Sequence, residues 1–316
     1  MSGRITRNEL LLGLAVVAVL ALAPVALNQY WIRVVTKVLL FAVLASAWNL
    51  MAGFCGYPSF GQVAFFGLGA YVTAVAMVRF HVPFVLSLVL AIVLSVVFAV
   101  LVGLPVLRLR GHYFAVATLG IAEATKQVVA NLAIAGGGEG ISFPLPPWTP
   151  EATTRVFYYS MGLVLAAMLV TFRLAIRSRP GYAWRGIHAN EEAAQVLGIN
   201  TTFYKVVAWA ISAFFTSLVG GIYGYWIGFI EPNSMFSANV TVEMVVVALL
   251  GGSGTLLGPL LGSAVFEVLS EVVWAHFLNV HDLVLAVLFG IIILFLPGGL
   301  ITYVGRGGRQ VRRAVS

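Results

Sequence analysis

The chain has 316 residues, of which 61% are hydrophobic and 9% charged, and its net charge is +7. A soluble domain carries about 25% charged residues, so a chain this long and this apolar cannot cover its own surface in water and must sit in lipid. The single cysteine, Cys55, excludes an internal disulfide and a multi-cysteine metal site, and reads as a small apolar packing residue.

The chain begins in a way that imitates a signal peptide. Arg4 and Arg7 precede an apolar run, and Ala21-Leu22-Ala23 resembles a cleavage site. The run continues to Leu27, and Pro24 would follow the cut directly, so residues 10–27 read as a retained span. Apolar run length and breakers place nine more spans at 34–52, 58–79, 84–106, 112–131, 156–176, 205–229, 241–250, 256–275 and 283–303. The expected fold is therefore a single all-α membrane domain, residues 1–316, with about ten transmembrane helices, some of them broken.

Three Gly-rich sites interrupt these spans: 53–62, 111–115 and 251–259. Broken backbone at membrane depth is tolerated where protein buries it or water reaches it, and in transporters such breaks line the substrate path. The competing reading is close helix packing through small residues. Packing is expected for Gly67, Gly69, Gly258 and Gly262. A path-lining or hinge role is expected for Ser59, Gly61, Gln62, Gly251, Gly252 and Gly254. Within the spans, Glu123 and Lys126 lie three apart and can pair. Glu243, Glu267 and Glu271 are further charges within spans; Glu267 and Glu271 share a face and fit a span end or water, with a subunit-interface role favoured over a proton relay.

Two long loops stand out. Residues 132–155 are rich in Gly and Pro, and form either a docking surface or a plain connector. Residues 177–205 are the longest charged run. Pro180-Gly181 is a turn, and Trp184, Ile187, Ala194 and Leu197 recur at helical spacing. A short helix over 184–197 is expected, with Gly198 ending it. Its apolar stripe needs a receiver, which is the bilayer headgroup region or a groove on a soluble partner.

Lys and Arg placement orients the chain. With both termini in the cytoplasm, 13 of the 18 basic residues face inward, and the 177–205 loop is cytoplasmic. Spans 2–5 and 7–10 then start on opposite sides, which allows an inverted pseudo-repeat. The chain carries no phosphate-loop motif, its histidines lack metal-ligand spacing, and no catalytic Ser-His-Asp set can be singled out. An enzyme is not expected, nor is a metal or a nucleic-acid partner.

The run AWRGIHANEEAAQVLGINTTFYK resembles the cytoplasmic coupling loop of ABC importer permeases, and more narrowly of the branched-chain amino acid permeases of the LivM type. Glu192-Ala193-Ala194 followed by Leu197-Gly198-Ile199-Asn200 carries the likeness. Gly56-Tyr57-Pro58-Ser59-Phe60-Gly61, Arg110-Gly111-His112-Tyr113-Phe114-Ala115, Gly137-Gly138-Glu139-Gly140-Ile141 and the run 251–259 extend it in order along the chain. Gln62-Val63 stands where the family pattern has His-Ala, and Glu139 where Asp is commoner. The resemblance implies a bacterial inner-membrane permease subunit that imports leucine, isoleucine or valine. It implies a second related permease, two ABC ATPase subunits that carry the ATP and magnesium, and a periplasmic binding protein. The coupling contact would fall to Trp184, Arg185, Ile187, Glu191, Glu192, Ala193, Ala194, Leu197 and Gly198. Alternatives within reach of the sequence are a related importer of urea, short amides or other amino acids, and a secondary transporter or channel working without ATP.

Overall fold

In the computed structural model, residue 24 and residues 27–276, 281–295 and 298–304 are described. Asn28 opens helix α1 (Gln29–Asn49), its side chain accepting a hydrogen bond from the Trp31 amide at 3.0 Å. From Leu39 onward α1 is buried on almost every face, as expected of a helix apolar all round. A π-helical turn (Leu50–Phe54) follows, and Gly56, at φ 77°, reverses the chain.

Helix α2 (Gln62–Arg79) leads to α3 (Phe84–Val106) and α4 (His112–Asn131). A segment with two short 3₁₀ turns and the strand β1 (Ile141–Ser142) follows. Pro150 starts α5 (Pro150–Arg177), capped by Thr149. Then come α6 (Arg179–Ala189), α7 (Glu191–Val196), α8 (Thr201–Ile227) and β2 (Phe229–Ile230), which pairs antiparallel with β1. The 132–155 segment is therefore not a free connector, because this pairing pins it to the end of α8. Four more helices complete the described chain: α9 (Pro232–Met235), α10 (Ala238–Gly251), α11 (Gly258–His276) and α12 (His281–Phe295), before the short α13 (Ile301–Val304).

The most extensive helix contact joins α2 to α8, and α3 packs across both. Glycines permit it. A Cβ on Gly69 would lie 2.0 Å from the Ser217 carbonyl oxygen, and one on Gly220 would lie 2.1 Å from that of Phe66. The two backbones touch, so no side chain fits at either position. Gly262 meets the Val247 carbonyl in the same way, at 2.1 Å, and Gly67 sits under the Phe236 ring. The packing role expected of Gly67, Gly69, Gly258 and Gly262 is what the helices display. Around α1 gather α11, α5, α10 and α8.

Seven of the described helices, counting α1 with its π turn and α9 with α10, are long and apolar enough to cross a membrane. The chain is an all-α multi-pass membrane protein. The expected count of ten is not reproduced among the described residues. Span 10–27 falls almost wholly outside them, α4 coincides with span 112–131 but is not among the seven, and span 283–303 divides into α12 and α13. The expected helix over 184–197 is also corrected. It is two helices, broken at Asn190, whose extended backbone (φ −164°, ψ 110°) lets its side chain cap α7.

Candidate functional site

The loop between α5 and α8 folds back on its own chain. Gly181 permits the reversal, since a Cβ there would lie 2.4 Å from the Ile176 carbonyl oxygen. Trp184 and Ile187 are buried, and the Trp184 indole N–H donates to the Tyr204 carbonyl at 2.8 Å. Arg185 donates to the carbonyls of Gly181 and Ile176. His188 packs over Gly56. Ala194 is the buried residue of α7 and faces Gly186 of α6. Gly198, at φ 83°, ends the turn, and Asn200 caps α8 by accepting from Phe203.

This arrangement corrects the picture of one apolar stripe offered outward. Trp184, Ile187 and Ala194 are spent on this chain. Leu197 alone of the four faces out, at 81% exposed, beside Val196 at 88%. These two residues give the loop an exposed apolar end, and Tyr182 and Phe203 are exposed elsewhere on the same region.

Beneath the loop lies a buried ionic cluster. Lys205, one turn into α8, is 2% exposed. Its Nζ donates to Glu191 Oε1 at 2.7 Å, to the Leu107 carbonyl at 2.7 Å and to Tyr57 Oη at 3.1 Å. Tyr57 donates its hydroxyl proton to the other Glu191 oxygen. All three ammonium protons are thereby matched. Burial pushes the Glu191 carboxyl up, but the hydrogen bonds from Lys205 and Tyr57 and the Lys205 charge outweigh it and hold the group below its ordinary value. Burial, then the bond to Glu191, pushes the Tyr57 phenol up. Arg110 adds an exposed pair to Glu192 at 2.7 Å and approaches Glu191 at 3.9 Å. Four separate segments thus meet at Glu191: the first Gly-rich break, the α3–α4 turn, α7 and α8.

The expected path residues divide. Ser59 and Gln62 are fully buried, and Gly61 rests on the Thr118 backbone, so none of the three faces an open cavity here. Among the described residues, both polar atoms of the Gln62 amide lack a hydrogen-bond partner, an expensive state for a buried amide. Gly251 and Gly252 pack closely, against Gly258 and Ile301 respectively. Gly254 is exposed and abuts Gly53, so the first and third breaks touch. Asn49 staples them, donating to the Thr255 carbonyl at 2.8 Å and accepting from the Gly254 amide at 2.7 Å.

Helix α4 is held by one narrow stripe of Phe114, Thr118, Ala122, Thr125 and Val129. The opposite face carries Tyr113, Val116, Gly120, Glu123, Gln127 and Asn131, all exposed. Gln127 donates to Glu123 at 2.9 Å, and Lys126 lies 3.5 Å from it. A polar face on a helix at membrane depth cannot rest against acyl chains, and turns to protein or water. An apolar cleft of about 320 Å³ between the far ends of α2, α3 and α4 includes Leu68, Leu90 and Val129. Gly111, at φ 55° and ψ −129°, precedes α4 in a conformation that only glycine adopts readily.

Sequence reasoning noted Tyr57, Arg110 and Lys205 only as parts of motifs or as topology charges, and missed Asn49. A lysine inside an apolar run, with a glutamate shortly before it, was the available signal for Lys205.

A many-helix apolar body with a charged, self-anchored loop is the architecture of a membrane transport permease. Residues 30–296 match the family described as the permease component of the branched-chain amino acid transport system, and the chain belongs to that family. It is 28% identical to the high-affinity branched-chain amino acid permease protein LivM of Salmonella typhimurium, over 95% of this chain and 76% of that one. The LivM protein of Escherichia coli K12 is also 28% identical, over 91% of this chain and 74% of that one. The LivH permease of Salmonella typhimurium matches over 44% of each chain, at 28% identity. No solved structure matches the chain.

Proposed function

We propose that this chain is the permease subunit of an ATP-driven importer of branched-chain amino acids in the bacterial inner membrane. It would work with a second related permease, two ATPase subunits and an external binding protein. Family membership supports the transport role. The observation that carries the coupling is the loop 179–197, which is rigidly tied to the spans at one end and bears exposed Val196 and Leu197 at the other. A groove on an ATPase receives that apolar end.

Motion then has a route. Displacing α7 pulls Glu191 and Glu192, which are bonded to Lys205, Tyr57 and Arg110. Arg110 adjoins the Gly111 swivel, and beyond it α4 is loosely packed beside an open cleft. The polar face of α4 forms one wall of the solute path, opposite the second permease. Rotation of α4 about Gly111 switches the path between its two openings.

The test is copurification of ATPase subunits together with leucine uptake. Leu197→Asp should lose both and still insert in the membrane. A helix lying on the bilayer would keep its ATPases after the same change, so retained ATPases with undiminished uptake would sink the coupling role.

A further inference from the structure

A cavity of about 200 Å³ lies in the half of the body remote from the 179–197 loop. Helix α8 leaves that loop at Thr201 and reaches the cavity only with Tyr223 and Ile227. Leu40 and Leu44 of α1, Phe66 of α2, Tyr223, Met235 of α9 and Val240 of α10 form the walls. Of the described lining side chains, only Tyr223 and Ser234 carry hydroxyls. Ser234 is exposed and Phe229 is 48% exposed, so the cavity reaches the surface at their end.

Its walls are both fixed and shared. Phe66 is held where Gly220 touches its carbonyl, and its ring packs on that of Tyr223 with centroids 5.4 Å apart. The span Pro232–Gly251 is interrupted beside the cavity, between α9 and α10, and both halves contribute lining residues. An interrupted span at membrane depth is a device by which transporters build a solute site. Val240 lines the cavity and also packs against Val63 and Ala64 of α2 and Ala122 of α4. Helix α9 packs on α4 as well. The cavity thus adjoins the helix whose polar face borders the solute path, and a turn of that helix presses on its wall through Val240.

Size and lining define the ligand. An apolar cavity of about 150 Å³ is enough to bind benzene, so this one admits the side chain of valine or leucine. The exposed Ser234 marks the polar end. A ligand therefore enters apolar end first and keeps its charged groups at the rim, where burial does not strip them of water.

We propose, building on the amino acid import role, that this cavity is a solute subsite. It takes the branched apolar side chain of the carried amino acid and leaves the ammonium and carboxylate at the Ser234 rim. Leucine fills it by one methylene more than valine, so narrowing the cavity penalises leucine first.

The experiment uses the full chain in its complex with ATPases and binding protein, in proteoliposomes, and reads initial uptake of labelled leucine and valine. The binding protein is the same throughout, so a change in the ratio between wild type and variant belongs to the permease. Val240→Phe should lower the leucine-to-valine ratio about fourfold, the worth of one buried methylene. Its ring also presses on Val63 and Ala122. Ile227→Trp, at a rim position that is 48% exposed, repeats the test without entering the core and should shift the ratio the same way. An unchanged ratio in both variants would overturn the subsite. So would an equal loss of both solutes, which would leave the cavity to packing or to a lipid chain. Wild-type protein that takes up neither leucine nor valine would refute the import role itself, and the subsite with it.

Discussion

Lys205 is the residue on which the loop's attachment depends. Its ammonium is buried, and its neighbours supply three acceptors. Removing one partner of a buried pair leaves the other charge uncompensated, at about 3–5 kcal/mol. Lys205→Met should therefore lower the unfolding temperature in detergent, and adding Glu191→Gln should restore part of the loss. Additive effects in that double-mutant cycle would show that the two groups do not interact. The pH response follows from Glu191. Its carboxyl lies below the ordinary value in the folded chain, so its contribution is complete above about pH 4.3 and is lost as the pH falls through the lowered value. Pepsin cleavage within 189–198 should accordingly stay slow at pH 5 and accelerate only below the ordinary carboxylate range. Equally fast cleavage at both would detach Glu191 from the loop's anchorage. Beyond Lys205 and the nearby Glu191, this cluster was not legible locally. Tyr57 and Lys205 are separated by 148 positions, and no periodicity links residues so distant.

Element boundaries were legible where breakers stand. The helices Phe84–Val106 and His112–Asn131 begin after Pro83 and Gly111, and both coincide with the expected spans. The loop helices were legible as apolar positions but not as a direction. A 3.6-residue period identifies a stripe and does not say which body receives it. Trp184, Ile187 and Ala194 went to the permease, and only Leu197 was left outside. Ala194→Glu should consequently act differently from Leu197→Asp. It forces a charge between α7 and α6, beside Gly186, and should loosen the loop even without ATPases present, read as faster hydrogen exchange over 190–199. Unchanged exchange would mean Ala194 faces outward. For α4, single cysteines at Gly120 and Gln127 should react with a water-soluble maleimide or crosslink to the second permease, whereas one at Ala122 should do neither. Equal reactivity at all three would remove the polar face from the path.

The whole molecule divides into a welded body and a looser part. Helices α2 and α8 share backbone contacts at Gly69 and Gly220, and α3 packs across both, whereas α4 and the loop hang from Arg110, Gly111 and Glu191. Helix α5 carries the chain from the side of Pro147 to the side of Asn190. Reporters inserted near those two residues should give opposite signals, external at Pro147 and cytoplasmic at Asn190. A cytoplasmic signal at Pro147 would invert the topology. Hydropathy made the membrane class plain but not the count of spans, because α4 is too polar to read like its neighbours and the region after Gly258 mixes long and short helices.

The glycine weld between α2 and α8 also has a consequence for biosynthesis. Helix α2 leaves the ribosome long before Thr201, where α8 begins, and α1 waits longer still for α10 and α11. During synthesis the grooves at Gly69 and Gly67 face lipid unfilled, and the early helices hold their places without their final neighbours. Native packing is thus a late event, completed by the last-inserted third of the chain. A ribosome stalled before Thr201 leaves in the membrane an assembly of spans with no closing partner, a natural target for membrane quality-control proteolysis.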